Sequence, residues 1–444
     1  MKKLLIANRG EIAVRIIRSA REMGIKTVAI HSEIDANSLH VRIADESVCV
    51  GGNRAKDSYL NVVSIMSACE LVGADAIHPG YGFLSENADF ASVVEKHGIK
   101  FVGPMAETIR SMGSKVGARA LVEGADVPVL PGSSAIEDMA QLKSEVERIG
   151  LPVLIKASHG GGGRGMRVVT SMEDLEKTFH SAKSESQSAF ASSEVFVEKF
   201  IEKPRHIEIQ ILADEHGNVI HLGERECTLQ RRHQKVIEEA PSPVMTPELR
   251  ARMGESACSV ARATNYRGVG TVEFLVDDKF NFYFMEMNTR IQVEHPVTEI
   301  VTGIDLVKAQ LQVAMGEKLT INQEDVEITG HAIECRINAE DPFTFVPCPG
   351  TLKEYLPSGG RNVRVDSGMF NGAVVPPFYD SMIAKLITFG SDRAEATETM
   401  KRALYEFMID GIKTNIPLHQ KILDTEVFEQ ATFWTKWIEN DLLA

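Results

Sequence analysis

The sequence predicts a large α/β protein built in three parts, and three observations lead there. Short apolar runs alternate with amphipathic helical stretches up to about Met112. The middle then turns to closely spaced, antiparallel-looking strands around a run of glycines. From about His331 the chain is strand-rich again before it closes on helices. Its 444 residues, 43% apolar and 25% charged, suit two or three globular domains with sizeable cores.

In order, KKLLIA, KTVAIHS, ESVCV, ADAIHP and IKFVG read as the first strands. EIAVRIIRSAREMG and SENADFASVVEKHG read as helices between them, the second with Ser85 as N-cap and Gly98 at its end. Repeated strand–helix alternation implies a parallel sheet with helices on both faces. LPVLIKAS, EVFVEKF, HIEIQILAD, NVIHLGEREC, GVGTVEFLVD and NFYFMEMN are the strands of the middle part, closed by a helix from about Thr298 to Met315. HAIECRINAE, GTLKEYLP, NVRVDSG and MIAKLITFG follow as strands, and RAEATETMKRALYEFMI as a helix.

Composition excludes several classes. With 48 basic and 62 acidic residues the net charge is −14, so the molecule as a whole repels nucleic acid, and an anionic substrate needs a locally basic pocket. No apolar run approaches the roughly 20 residues that span a bilayer. MKKLLIANRGEIAVRI is interrupted too early for a secretion signal and reads as a first strand and helix. The six cysteines are scattered without a Cys-x-x-Cys pair, which supports neither zinc nor a disulfide framework; a reducing cytoplasm is the simplest setting.

Three segments carry chemistry. The first runs from Lys156 through His159 and Gly160–Gly163 to Gly165. A strand follows it, whereas a dinucleotide fingerprint requires a helix, and the Gly-Lys-Ser/Thr of a P-loop is absent. It reads as a glycine-rich hairpin whose backbone N–H groups can cradle phosphate, with Lys156 adding charge, or as a mobile surface loop. The second is Met285–Glu294, read as one extended strand. Alternation then puts Glu286, Asn288, Arg290, Gln292 and Glu294 on one face and Met285, Met287, Ile291 and Val293 on the other. A turn near 277–281 would set Glu273 opposite Glu286, and two carboxylates with an Asn oxygen suit magnesium or manganese. The third is Arg231, Arg232, His233 and Lys235, read as a loop: a small-anion site contacted by Lys235, or an exposed charged loop.

Eight ordered segments then match one family: IANRGEIAVR, HPGYGFLSEN, KASHGGGGRGM, VEKFIEKPRHIEIQ, QRRHQKVIEEAPS, MEMNTRIQVEHPVTE, CRINAEDP and YDSMIAKL. On these the chain resembles biotin carboxylase, of the ATP-grasp superfamily, from end to end. The resemblance implies a Rossmann-like N-terminal domain (1–113), an ATP-grasp domain (114–330) with a mobile glycine-rich lid over about 130–203, and a β-rich α+β C-terminal domain (331–444). It implies that ATP is bound by Lys115, Lys156, Gly162, Gly163, Glu198, Lys199, Phe200, Ile201, His206, Gln230, His233, Glu273 and Glu286. Glu273, Glu286 and Asn288 would hold Mg2+ or Mn2+. Lys235, Arg290, Gln292, the Val293 backbone and Glu294 would hold bicarbonate, with Glu294 as general base, and Arg336 would face bicarbonate and biotin. On residue grounds alone Arg336 reads as an ion-pair partner of Glu334 or Glu340.

Two residues depart from the family pattern: His159 interrupts the glycine run, and Ser114 replaces a more usual Asp. No Ala-Met-Lys-Met biotinylation signature occurs, so the resemblance implies biotin on a separate biotin carboxyl carrier protein, with carboxyltransferase subunits as further partners and a homodimer as the common assembly. The expected setting is acetyl-CoA carboxylase, with a propionyl-CoA or pyruvate carboxylase as alternatives. Another carboxylate-activating ATP-grasp enzyme would share the lid and metal carboxylates but not Arg290–Glu294 with Arg336. A catalytically dead module would lack at least one of Lys235, Glu273, Glu286, Arg290 or Glu294, and all are present.

Overall fold

The computed structural model describes residues 1–157, 166–190 and 193–444, without the side chains of 115, 116, 157, 189 and 190. The first part is a parallel sheet, β1 (Lys3–Ile6), β2 (Lys26–Ser32), β3 (Glu46–Gly51), β4 (Ala76–His78) and β5 (Lys100–Phe101), in the order β3-β2-β1-β4-β5. Helices α1 (Gly10–Glu22), α2 (Leu39–Ile43), α3 (Val62–Val72), α4 (Ala88–Lys96) and α5 (Ala106–Gly113) connect and follow the strands. Leu4 and Ile6 of β1 pack into one apolar cluster with α1, and Leu5 into another with α3 and α4, so both faces are covered. The N-cap of α4 is Asn87, which accepts from Phe90 N, and not Ser85, which is buried. Gly98 does follow the helix end, at φ +73°.

Helix α6 (Lys115–Glu123) leads out of this part. Ser114 is its N-cap and accepts from Gly117 N, the role an Asp would also fill. Next come α7 (Met139–Ile149), β6 (Val153–Ala157), β7 (Arg167–Val169), α8 (Leu175–Phe190) and β8 (Val195–Lys199). The strands form an antiparallel sheet, β7-β6-β8, and among the described residues the buried core beneath it draws only on positions 136–197. This small body therefore has its own core.

The rest is organised by one antiparallel eight-stranded sheet. Its members from the middle part are β9 (Arg205–Ala213), β10 (Val219–Arg231), β11 (Gln234–Ala240), β12 (Gly268–Val276) and β13 (Phe282–Asn288). The later chain adds β14 (His331–Asn338), β17 (Val363–Ser367) and β19 (Met382–Gly390), while the short β15 (Gly350–Thr351) pairs with β18 (Val374–Val375) and β16 (Glu354–Leu356) with β20 (Met408–Asp410) in two separate ribbons. The order is β13-β12-β9-β10-β11-β14-β19-β17. The sheet thus runs without a break past residue 331, because β14 pairs with both β11 and β19. Helix α9 (Pro247–Ala263) packs on β9 and β10.

Three local expectations fail here. The helix expected over 298–315 is two, α10 (His295–Thr302) and α11 (Leu306–Ala314), because Gly303 at φ +73° ends the first. Met285–Glu294 is not one strand: β13 ends at Asn288, and the chain turns at Val293–Glu294 into α10. Residues 231–235 are not a loop but the tip of the β10–β11 hairpin, with Arg232 and His233 at φ +47° and +63°. Among the described residues no helix is long and apolar enough to cross a membrane, and all six cysteines are free thiols.

Candidate active site

A cleft of about 1120 Å³ opens where the three parts meet. Its walls carry Glu11 and Tyr81 from the first part, Lys156 and Glu198–Ile201 from the small body, the Glu273–Glu286 strands, and Arg336 from β14. At its deep end, acid and base residues pack almost without solvent. The Lys235 ammonium lies 2.5 Å from Glu294 Oε1, 2.5 Å from Glu208 Oε2 and 3.1 Å from Glu273 Oε1. Arg336 reaches Glu294 Oε2 at 2.9 Å and Glu238 Oε1 at 2.5 Å. Its ion-pair partners are therefore Glu238 and Glu294, neither of the two carboxylates nearest in sequence.

Burial alone would push the Glu294 carboxyl up, but Lys235, Arg336 and Arg225 outweigh it and hold it well below the usual carboxylate range. Burial lowers the Lys235 ammonium, and its three carboxylates more than reverse that. Glu238 is pushed up by burial in spite of Arg336. Glu294 is thus fully ionised and clamped by two cations. A small anion entering here has Lys235 and Arg336 available to it, and a carboxylate left behind once they turn.

Arg290 forms the side of this end. It donates to Glu86 Oε2 at 2.9 Å, Asn288 Oδ1 at 3.0 Å and Gln292 Oε1 at 3.1 Å. Gln292 Nε2 donates to Glu273 Oε1 at 3.2 Å. At the other end Lys156 Nζ bonds Glu198 Oε2 at 2.5 Å, and Arg119 holds Oε1 of the same carboxylate at 3.2 Å. Lys199 turns away from the cleft floor to the carbonyls of Gly150 and Leu151, both at 3.0 Å.

Glu273 and Glu286 are direct cross-strand partners in β12–β13, as the turn near 277–281 implies. Both line the cleft with Asn288, so hard oxygen donors stand where a phosphate-bridging cation would need them. Burial would raise the Glu273 carboxyl; Lys235 and His206 hold it low instead, so it is an anion throughout. His206 Nε2 lies 3.0 Å from Glu273 Oε2, and Gln230 Nε2 bonds His206 Nδ1 at 2.7 Å. Asn288 turns its amide nitrogen to Glu273, at 2.8 Å, and its oxygen to Arg290, so it offers oxygen to a cation only after its amide turns.

Among residues whose side chains are described, the cleft brings together every one assigned a site role from the sequence except Glu294. Glu294 lies just behind the wall, joined to it through Lys235 and Arg336. Gly162, Gly163 and the interrupting His159 lie outside the described residues, as does the Lys115 side chain. Sequence reasoning missed Glu86, Glu208, Arg225 and Glu238. Arg225 is fully buried and holds Glu208 Oε1 and Gln210 Oε1, both at 2.6 Å, with Thr271 and Thr298 at 3.0 Å. A signal existed for one of these: Glu208 stands at an inward position of the largely apolar β9, and a buried carboxylate there must be paired.

A three-part α/β fold with a small sheet beside a cleft of paired carboxylates and cations is the architecture of the ATP-grasp class. The model of "Biotin carboxylase, N-terminal domain" matches residues 1–109, "Carbamoyl-phosphate synthase L chain, ATP binding domain" 114–322, and "Biotin carboxylase C-terminal domain" 334–440. Biotin carboxylase 1 of Bacillus subtilis is 56% identical, covering 99% of this chain and 98% of that protein. A pyruvate carboxylase subunit of Methanothermobacter thermautotrophicus is 52% identical, over 98% and 89%. Among solved structures, the biotin carboxylase–beta-gamma-ATP complex of Campylobacter jejuni superposes with a TM-score of 0.95 at 48% identity, over 98% of each chain. The biotin carboxylase domain dimer of Hydrogenobacter thermophilus 2-oxoglutarate carboxylase, with MgADP, ADP and bicarbonate, gives 0.94 at 48% identity, over 99% and 97%. The chain belongs to the biotin carboxylase family.

Proposed function

We propose that this chain carboxylates biotin held by a separate carrier protein, consuming ATP and bicarbonate. The observation that carries the reading is Glu294, buried and clamped between Lys235 and Arg336 beside the Glu273–Glu286 pair. A carboxylate so acidic is a poor base. Bicarbonate entering the cleft draws the two cations onto its own oxygens, and Glu294 regains the basicity to take the bicarbonate proton. Arg290 and Gln292, braced by Glu86 and Glu273, orient the anion beside them.

One oxygen of the deprotonated bicarbonate then attacks the γ-phosphorus of ATP, and the bond to the β-phosphate oxygen breaks, giving carboxyphosphate and ADP. Lys156 would leave Glu198 for the phosphates. A magnesium or manganese ion on Glu273, Glu286 and Asn288 would offset phosphate charge in that transfer. Carboxyphosphate breaks down to CO₂ and phosphate in the enclosed end, where water is excluded. Phosphate takes the ureido N1′ proton of biotin, Arg336 steadies the developing ureido oxygen charge, and N1′ bonds CO₂.

The relatives support this reading and bear on its setting. Relatives named biotin carboxylase support the biotin-carboxylating step; the setting we propose for it is an acetyl-CoA carboxylase with carboxyltransferase subunits in the cytoplasm, with pyruvate carboxylase, as in the Methanothermobacter relative, the second reading. The dimer of the Hydrogenobacter domain supports a homodimer here.

The test is Glu294→Gln, nearly isosteric but unable to take the proton. Bicarbonate-dependent ATP hydrolysis with free biotin should fall at least ~100-fold, while nucleotide affinity stays within about threefold. Near-normal turnover would remove Glu294 as the base.

A further inference from the structure

Three of the matching motifs, IANRGE, HPGYGF and YDSMIAKL, hold no assigned role beyond lining the cleft, and they meet at one buried ammonium. Lys385, in the middle of β19, is 0% exposed. Its Nζ donates to the Val293 carbonyl at 2.9 Å and lies 3.2 Å from Glu11 Oε2 and 3.9 Å from Asp366 Oδ2. Glu11, in the first turn of α1, accepts from the Tyr81 hydroxyl through its other oxygen. Asp366 is Lys385's cross-strand partner on β17, and Arg364 holds it with two hydrogen bonds.

A buried ammonium needs opposite charge, and Glu11 and Asp366 supply it. Neutralisation does not call for the third contact. The Val293 carbonyl belongs to the peptide unit joining Val293 to Glu294, between cleft-lining Gln292 and the buried carboxylate. Holding that carbonyl fixes the peptide plane, and with it the direction in which Gln292 and Glu294 leave the turn. No hydrogen bond inside β13 can do this, because the strand has ended at Asn288.

We propose that Lys385 is a positioning residue for bicarbonate. It acts through the Val293 carbonyl, carrying the mutual placement of the first and last parts of the chain to the turn that holds the anion. The proposal rests on the reading given under Proposed function.

The test uses the full chain and compares Lys385→Met with Asp366→Asn. Both disturb the buried charge balance, but only the first removes the donor to Val293. For Lys385→Met the KM for bicarbonate should rise at least tenfold, with the KM for ATP within twofold. Asp366→Asn should lower thermal stability and leave the bicarbonate KM within twofold. The proposal is overturned if Lys385→Met leaves the bicarbonate KM within twofold, if it shifts both constants alike, or if Asp366→Asn raises the bicarbonate KM as much. Should Lys385→Met not fold, Lys385→Arg decides: it keeps the charge, but its wider planar head displaces the turn. The expected result is a bicarbonate KM raised at least fivefold with ATP unaffected, and unchanged constants overturn the proposal. A wild-type chain without bicarbonate-dependent ATP hydrolysis would instead overturn the functional reading itself.

Discussion

His419 shows how far a single residue's surroundings set its chemistry. It is fully buried, its Nε2 lies 2.8 Å from the Arg336 carbonyl, and burial pushes its imidazole down to about 4. His40 and His78 are likewise pushed down by burial, to about 4 and about 3. The unfolded chain binds these protons near pH 6.5 and the folded one does not, so each neutral histidine contributes stability that is present above pH 6.5. That contribution is lost as pH falls toward the folded value. Other buried groups titrate in the same window: Glu334, pushed well up by burial, favours folding as pH falls. A difference between variants isolates the histidine. The stability gap between wild type and His419→Gln should shift toward the variant by about 2 kcal/mol between pH 7.5 and pH 5, measured by urea unfolding. A gap independent of pH would place the imidazole in solvent.

At this scale the site was legible where a residue's neighbours in sequence betray it. Glu286, Asn288, Arg290 and Gln292 stand close together, and Lys235 sits in the densest basic run. Glu86 and Arg225 were not legible. Glu86 meets Arg290 from 204 residues away, and Arg225 meets Thr298 from 73. Only the assembled sheet makes those pairs.

Among the elements, the turn after β13 is the informative case. Strand alternation predicted that Glu286, Asn288, Arg290, Gln292 and Glu294 converge. Arg290, Gln292 and Glu294 do gather at the deep end, but by a bend into α10. The signal was present: Pro296 stands in the first turn of α10, where its missing N–H costs nothing and its φ suits a helix start. The β10–β11 hairpin is similar, since Arg232 and His233 at positive φ turn a charged run into a tight tip that aims Lys235 inward. The small body of β6–β8, α7 and α8 makes its own prediction, because among the described residues its core takes nothing from the rest. Leu142→Ala there should cost about 2–5 kcal/mol locally. Hydrogen exchange over about 136–197 should speed at least tenfold, with the main thermal transition moved by less than about 2 °C. A fall of the main transition instead would mean that the body unfolds only with the whole.

The whole molecule is tied together by the eight-stranded sheet, which the sequence divides between a middle and a last part. Alternation located seven of its eight strands and missed β11, which was read as part of a charged loop; strand order is set by which edges remain free and which faces are apolar, and no local pattern carries that. Continuity from β11 into β14 is what sets Arg336 and Lys235 on either side of Glu294. Bicarbonate and ATP should therefore meet at one point, and that meeting leaves a mark on the product. Supplied with ¹⁸O-labelled bicarbonate, ATP and biotin, the enzyme should release phosphate carrying one ¹⁸O atom per molecule, read by mass spectrometry. Turnover that yields unlabelled phosphate would mean that water, and not bicarbonate, attacks the nucleotide.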